Sequence, residues 1–170
     1  MNIFALSNNP VEAAQMLKLG HIVKMPLESA QMLCTALWAQ NISAPYKPAY
    51  PKHPCTMWVQ KSSENFEWLV KHSLEICKMY TQFYEKTHKS QSVIEECYNL
   101  FRPDLFNRKN ITSFAQAMPD KYKISEKVEG NLFNGVVAYR GYYYHEKVDI
   151  VPKGYPKFVP FANLVKEYNK

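Results

Sequence analysis

From Glu64 to about Lys86, the positions Phe66, Leu69, Val70, Ser73, Ile76, Cys77, Tyr80 and Phe83/Tyr84 recur every three or four residues, with no Gly or Pro among them. That period is one face of an α-helix. A helix of this length with one apolar stripe has to bury it against other elements, and the neighbouring segments carry the same period. Asn9 is placed to cap a helix with Pro10 at its first position and Glu12 closing a capping box, ahead of Ala13, Met16 and Leu17. Gly20 interrupts or ends that helix. His21 to Ala39 forms a second run with Ile22, Met25, Ser29, Leu33, Ala36 and Leu37 facing inward. Within it Pro26 has no N–H and crowds the carbonyl of Ile22, which predicts a kink or, alternatively, a restart with Pro26 in the first turn.

The remaining segments are set by their punctuation. Residues 1–6 read as a short extended arm. Residues 41–54 hold Pro45, Pro48, Pro51 and Pro54 and read as an extended surface loop. A short helix follows over 55–61, Ser63 is the expected cap of the long helix, and Ser92 with Glu95 forms a second capping box for a helix that stops before Pro103. Beyond that the pattern weakens. Residues 112–118 fit one or two helical turns, 136–147 fit strand or helix, and the stretch from Val151, with Pro152, Pro156 and Pro160, reads as an irregular wrap over the core. The expected architecture is mainly α: one compact domain over residues 1–170 with irregular Pro-rich loops.

Composition narrows the chemistry. With only 5 Gly in 170 residues, neither G-x-G-x-x-G nor G-x-x-x-x-G-K-[ST] can be written anywhere, which excludes Gly-rich phosphate loops. The formal charge of +6 is uneven, since residues 101–170 hold 12 Lys+Arg against 7 Asp+Glu. Only Arg102, Arg108 and Arg140 are arginines, and lysines grip phosphate as point charges without reading base edges. A nucleic-acid partner would therefore be held by its backbone. Cys34, Cys55, Cys77 and Cys97 are too far apart for a C-x-x-C pair, no basic leader opens the chain, and no apolar run approaches the ~18 residues of a membrane span. The expectation is a cytoplasmic protein with reduced thiols and no membrane contact.

Two clusters carry candidate chemistry. On an unbroken helix His21, Lys24 and Glu28 fall within a fan of about 60°. Glu28 would move protons, His21 would orient substrate and Lys24 would neutralise a phosphate. The competing reading is a solvated face with Lys24 and Glu28 as an i,i+4 ion pair. The second cluster is Tyr139, Arg140, Tyr142, Tyr143, Tyr144, His145 and Lys147, in which aromatic faces interleave with cations as base stacking and phosphate contact require. Its competing reading is a packed amphipathic segment. His53, His72, His88 and His145 are scattered, with His53 and Cys55 the only metal-like spacing, so no metal site is expected. No G-x-S-x-G elbow marks a hydrolase triad.

The stretch KLGHIVKMPLESAQ resembles the segment that opens the phage pyrimidine-dimer DNA glycosylases of the endonuclease V type, in which a helix carries a histidine and, seven residues later, the catalytic glutamate. The opening MNIF, HPCTMW (53–58), KTHKS (86–90), AMPDKY (117–122) and AYRGYYYHEK (138–147) are similar to landmarks of a group of uncharacterised phage proteins of like length. The resemblance implies an endonuclease V-like helical fold and a double-stranded DNA substrate met in the cytoplasm of an infected bacterium, with no cofactor. The chemistry it implies is base flipping, attack on the sugar C1′ by the N-terminal α-amine, and possible abasic-site lyase activity. Glu28 would take the glutamate role and His21 would hold substrate, with Arg140 or Lys147 on phosphate and Tyr139, Tyr142 and Tyr143 at the DNA. The sequence departs from that pattern in three places. Asn2 is too large for ready removal of Met1, so the nucleophile would be the amine of Met1; α-amines as a class are partly neutral at pH 7 and able to form imines. Leu27 stands where the family has an arginine, and Pro26 sits within the helix. The alternative function is a non-catalytic phage protein that keeps the fold and binds DNA or a host protein.

Overall fold

A computed structural model describes residues 1–125 and 133–147. Among them are six α-helices and no strand: α1 Pro10–Gln15, α2 Leu19–Trp38, α3 Pro54–Lys61, α4 Ser63–Tyr84, α5 Gln91–Leu100 and α6 Asn134–Lys147. Short 3-10 turns at Pro103–Leu105 and Asp120–Tyr122 complete the order. The fold is mainly α, as the periodicity requires. The expected wrap from Val151 lies outside the described residues.

Helices α2 and α4 form the central pair. α1 packs on α4, and α3 and α5 each pack on both. The inward positions of α2 (Ile22, Met25, Ser29, Leu33, Ala36 and Leu37) are all buried, as are Phe66, Leu69, Val70, Ser73, Ile76 and Cys77 of α4. α2 starts at Leu19 and runs through Pro26, so the restart does not occur. Burial of side chains on both sides of the proline outweighs one missing backbone bond. Gly20 lies in the first turn of α2, and α1 has already ended at Gln15.

The helix starts need three corrections. Asn9 caps α1 by accepting from Val11 N–H and Glu12 N–H, but the Glu12 carboxylate accepts from the Ser7 hydroxyl and closes no box. Ser62, one residue before the expected cap, accepts from Asn65 N–H to start α4. The loop at 108–109 offers its carbonyls to the next orphan donors, with Ser63 N–H and Glu64 N–H each donating at 3.0 Å. Ser90, not Ser92, precedes α5.

The arm at residues 1–6 is threaded through the core, with Ile3, Ala5 and Leu6 fully buried. Residues 112–118 form no helix. Their backbone groups are claimed by side chains: Thr112 N–H by Asn65 Oδ1, Ala117 O by Asn2 Nδ2, and Ala115 O and Ala117 N–H by the Tyr139 hydroxyl. The segment at 136–147 is helical. α6 starts against residue 114 so closely that a Cβ on Gly135 would lie 2.8 Å from Phe114 Cβ.

His72 is fully buried against Trp68, ring centroids 4.8 Å apart, and neither ring nitrogen has a partner among the described residues. Burial pushes its pKa from 6.5 to about 3. The unfolded chain therefore takes up a proton that the folded chain refuses, and stability falls as pH drops from 6.5 towards 3, with none lost above that window. His72→Phe is expected to flatten this acid limb, seen as a smaller drop in the urea midpoint between pH 7 and pH 4. An unchanged drop would assign acid sensitivity elsewhere.

Candidate active site

The arm brings the chain's first nitrogens onto α2. Asn2 N–H donates to Glu28 Oε2 at 2.8 Å, and the Met1 amino nitrogen lies 3.8 Å from the same oxygen. Lys24 Nζ, one turn back on α2, sits 3.1 Å from Glu28 Oε1. The Asn2 side chain locks this arrangement, since its Oδ1 accepts from Ile3 N–H and Phe4 N–H while its Nδ2 donates to Ala117 O. Met1 is seated at its other end too, its buried thioether accepting from the Thr56 hydroxyl at 3.2 Å.

These groups open onto a cavity of about 390 Å³ lined by Met1, Lys24, Leu27, Glu28, Gln31, Tyr50 and His53, within the usual size of a small-ligand site. Lys24, Leu27, Glu28 and Gln31 share one face of α2 by their spacing. The opposite wall is the Pro-rich loop, tied down by Ala49 N–H donating to Thr35 Oγ1 at 2.9 Å and Trp38 Nε1–H donating to Tyr46 O at 2.9 Å. His53 caps α3, its Nδ1 accepting from Cys55 N–H at 3.2 Å. That bond puts the proton of the neutral ring on Nε2, which has no partner among the described residues. Burial, then the Met1 amino charge, hold His53 below the ordinary histidine range, with Glu28 pulling the other way.

His21 is not among the lining residues. The Tyr143 hydroxyl accepts from Lys18 N–H at 2.7 Å and shares a hydrogen bond with His21 Nδ1 at 3.0 Å, and the Phe4 ring stacks on the imidazole at 4.2 Å. Burial, then Lys18, Lys147 and Lys24, push the His21 pKa down to about 3, so the ring is neutral at physiological pH. Among the described residues no three His, Cys, Asp or Glu side chains gather into a group able to hold a metal. Nor, among them, is any helix long and apolar enough to cross a membrane.

The family model for pyrimidine dimer DNA glycosylases matches residues 1–91, more than half of the chain. The chain belongs to that family. No curated protein and no solved structure matches it. In this member of the glycosylase family every residue lining the cavity falls inside the matched stretch, whereas α6 lies beyond it.

The expected aromatic and basic cluster on α6 is divided by the fold. Tyr139 and Tyr143 are corrected from DNA-facing to core positions: both are fully buried, with no ring face for a base. Tyr139 is spent on residues 115 and 117, and Tyr143 on Lys18 and His21. Tyr142 is half-buried beneath Lys147, whose Nζ lies 4.9 Å from its ring centre. Arg140 Nε donates to Leu6 O at 2.8 Å, which pins the arm. His53, Tyr50 and Gln31 are cavity residues that the sequence reading did not assign. The only signal was HPCTMW, with a histidine directly before a proline that can open a helix.

Tyr143→Phe tests the corrected position. It leaves Lys18 N–H and His21 Nδ1 without their shared hydroxyl, so the expected cost is about 1–3 kcal/mol in urea unfolding, with DNA affinity unchanged within about twofold. Weakened DNA binding at unaltered stability would return Tyr143 to the surface role.

Proposed function

We propose that this protein is a glycosylase that removes a pyrimidine of a dimer from double-stranded DNA, through an imine formed by the α-amine of Met1, and that it then cleaves the strand as an abasic-site lyase. The observation that carries the reading is the convergence of the Met1 amine, Glu28 and His53 on one cavity, in a chain that belongs to the pyrimidine dimer DNA glycosylases.

The chemistry follows from what each group can do. The amine gives up a proton, for which the Glu28 carboxylate at 3.8 Å is the acceptor within reach. Its nitrogen then bonds to C1′ of the damaged nucleotide as the glycosidic C1′–N bond breaks and the pyrimidine leaves with the electron pair. The departing pyrimidine takes up one proton from the new amine, the Glu28 carboxyl returns its proton to O4′ as the C1′–O4′ bond opens, and the carboxylate so restored stabilises the cationic imine by charge. Loss of a C2′ proton to the restored Glu28 carboxylate expels the 3′ phosphate and cuts the strand, and water then hydrolyses the imine to free Met1. His53 presents an uncharged Nε2–H donor for the sugar oxygen that gains charge. Lys24 holds Glu28 Oε1 and, being largely exposed, can meet a phosphate at the rim.

Borohydride reduction in the presence of abasic-site DNA is expected to trap a covalent adduct. Acetylation of the α-amine is expected to abolish it, and Glu28→Gln to slow it by about 10²–10³-fold while salt-sensitive DNA binding persists. No adduct with the unmodified chain would leave the non-catalytic binding reading. An adduct that survives acetylation would move the nucleophile to a lysine.

A further inference from the structure

Tyr50 is the most exposed large apolar side chain among the described residues, at 69%. It is also one of the few non-glycine residues with positive φ, at 48°, a conformation that costs a bulky residue energy and persists only where its surroundings impose it. Those surroundings are a stiff strut. Pro48 and Pro51 flank the residue, Thr35 holds Ala49 from below, and Tyr50 O accepts from His53 N–H at 3.0 Å to close the turn. The fixed backbone thus presents the ring to solvent at the edge of the cavity that Met1, Glu28 and His53 share, opposite Leu27, which is itself 45% exposed. Lys47 and Lys52, either side of it in the loop, are exposed and have no carboxylate within ion-pair distance among the described residues.

A nucleotide that enters the cavity has to leave the base stack, and the gap costs a few kcal/mol unless something fills it. The filler must be apolar and flat, exposed before DNA arrives, carried on a fixed backbone and adjacent to the cavity. Tyr139 and Tyr143 of α6 fail on exposure, and the exposed Tyr84 and Tyr98 do not line the cavity. Tyr50 meets every condition.

We propose that Tyr50 is the wedge that enters duplex DNA beside the flipped nucleotide, with Leu27 behind it and Lys47 and Lys52 on the flanking phosphates. The proposal rests on the glycosylase reading above.

The test compares the full chain with Tyr50→Ala, Tyr50→Asn, Tyr50→Phe and Tyr50→Trp. Asparagine is included because it tolerates the left-handed backbone and so truncates the ring without added strain. Borohydride trapping is measured on a duplex carrying one pyrimidine dimer and on a single strand carrying a preformed abasic site, where nothing has to be unstacked. The expected result is a fall of about tenfold in the ratio of duplex to single-strand rates for the Ala and Asn variants. Phe and Trp are expected to return the ratio to within about threefold of the parent. A 2-aminopurine beside the dimer should brighten on binding the parent and stay dark with the Asn variant. A parental ratio in both Ala and Asn variants, or a ratio that Phe and Trp fail to restore, overturns the wedge while leaving the glycosylase reading intact. A parent that traps neither substrate overturns both.

Discussion

The Glu28 carboxylate is the interaction on which the site depends. Its side chain is only 11% exposed, and a carboxylate held that far from water has to be matched by donors. It finds them in two places at once, the Lys24 ammonium on its own helix and the Asn2 N–H of an arm twenty-six residues away in sequence. Once Asn2 N–H is fixed, the register of the arm follows. Met1 reaches Thr56 on α3, Phe4 covers His21, and Leu6 offers its carbonyl to Arg140 on α6. One buried acid thus sets the position of the amine and the docking of three helices. Removing it would leave a lysine, a backbone N–H and an amino group facing each other without compensation, a larger loss than the pairwise contacts suggest.

Much of this was legible in the sequence, and the parts that were not share a cause. Helical period and Pro/Gly punctuation placed α2 and α4, because Ile22, Leu33, Phe66 and Ile76 are fixed by local spacing alone. The same spacing kept Lys24 and Glu28 on one face through Pro26. Local pattern could not say which polar groups a distant segment would claim. Residues 112–118 look helical until Asn2, Asn65 and Tyr139 take their backbone bonds. The α6 tyrosines alternate with cations as a binding face would, yet Tyr139 and Tyr143 are drawn inward by a carbonyl and a histidine far away in sequence. His53 and Tyr50 reach the cavity only because Thr35 and Trp38 fold the proline loop back over α2, and no periodicity encodes that path.

The charges are arranged by depth. Cations stand outside or at the rim: Lys24 on the cavity edge, Lys47 and Lys52 in the loop that bounds it, Lys147 over Tyr142 and near His21. Both nearby histidines are kept neutral, His21 by burial among lysines and His53 by burial and the amino group, and each has its Nδ1 committed to a hydrogen bond. A protonated His53 would lose its cap bond to Cys55 N–H and would compete with Met1 for the Glu28 carboxylate. Held neutral, it keeps α3 in place and still offers a proton. On the proposed reading this gradient also orients the substrate. Phosphates, drawn to lysines, settle at the rim, and the uncharged sugar is the part of the nucleotide that fits beneath them, where C1′ meets the amine. The shortage of arginine is consistent with that division, since a protein that finds its target by how easily a base leaves the stack has little use for side chains that read base edges.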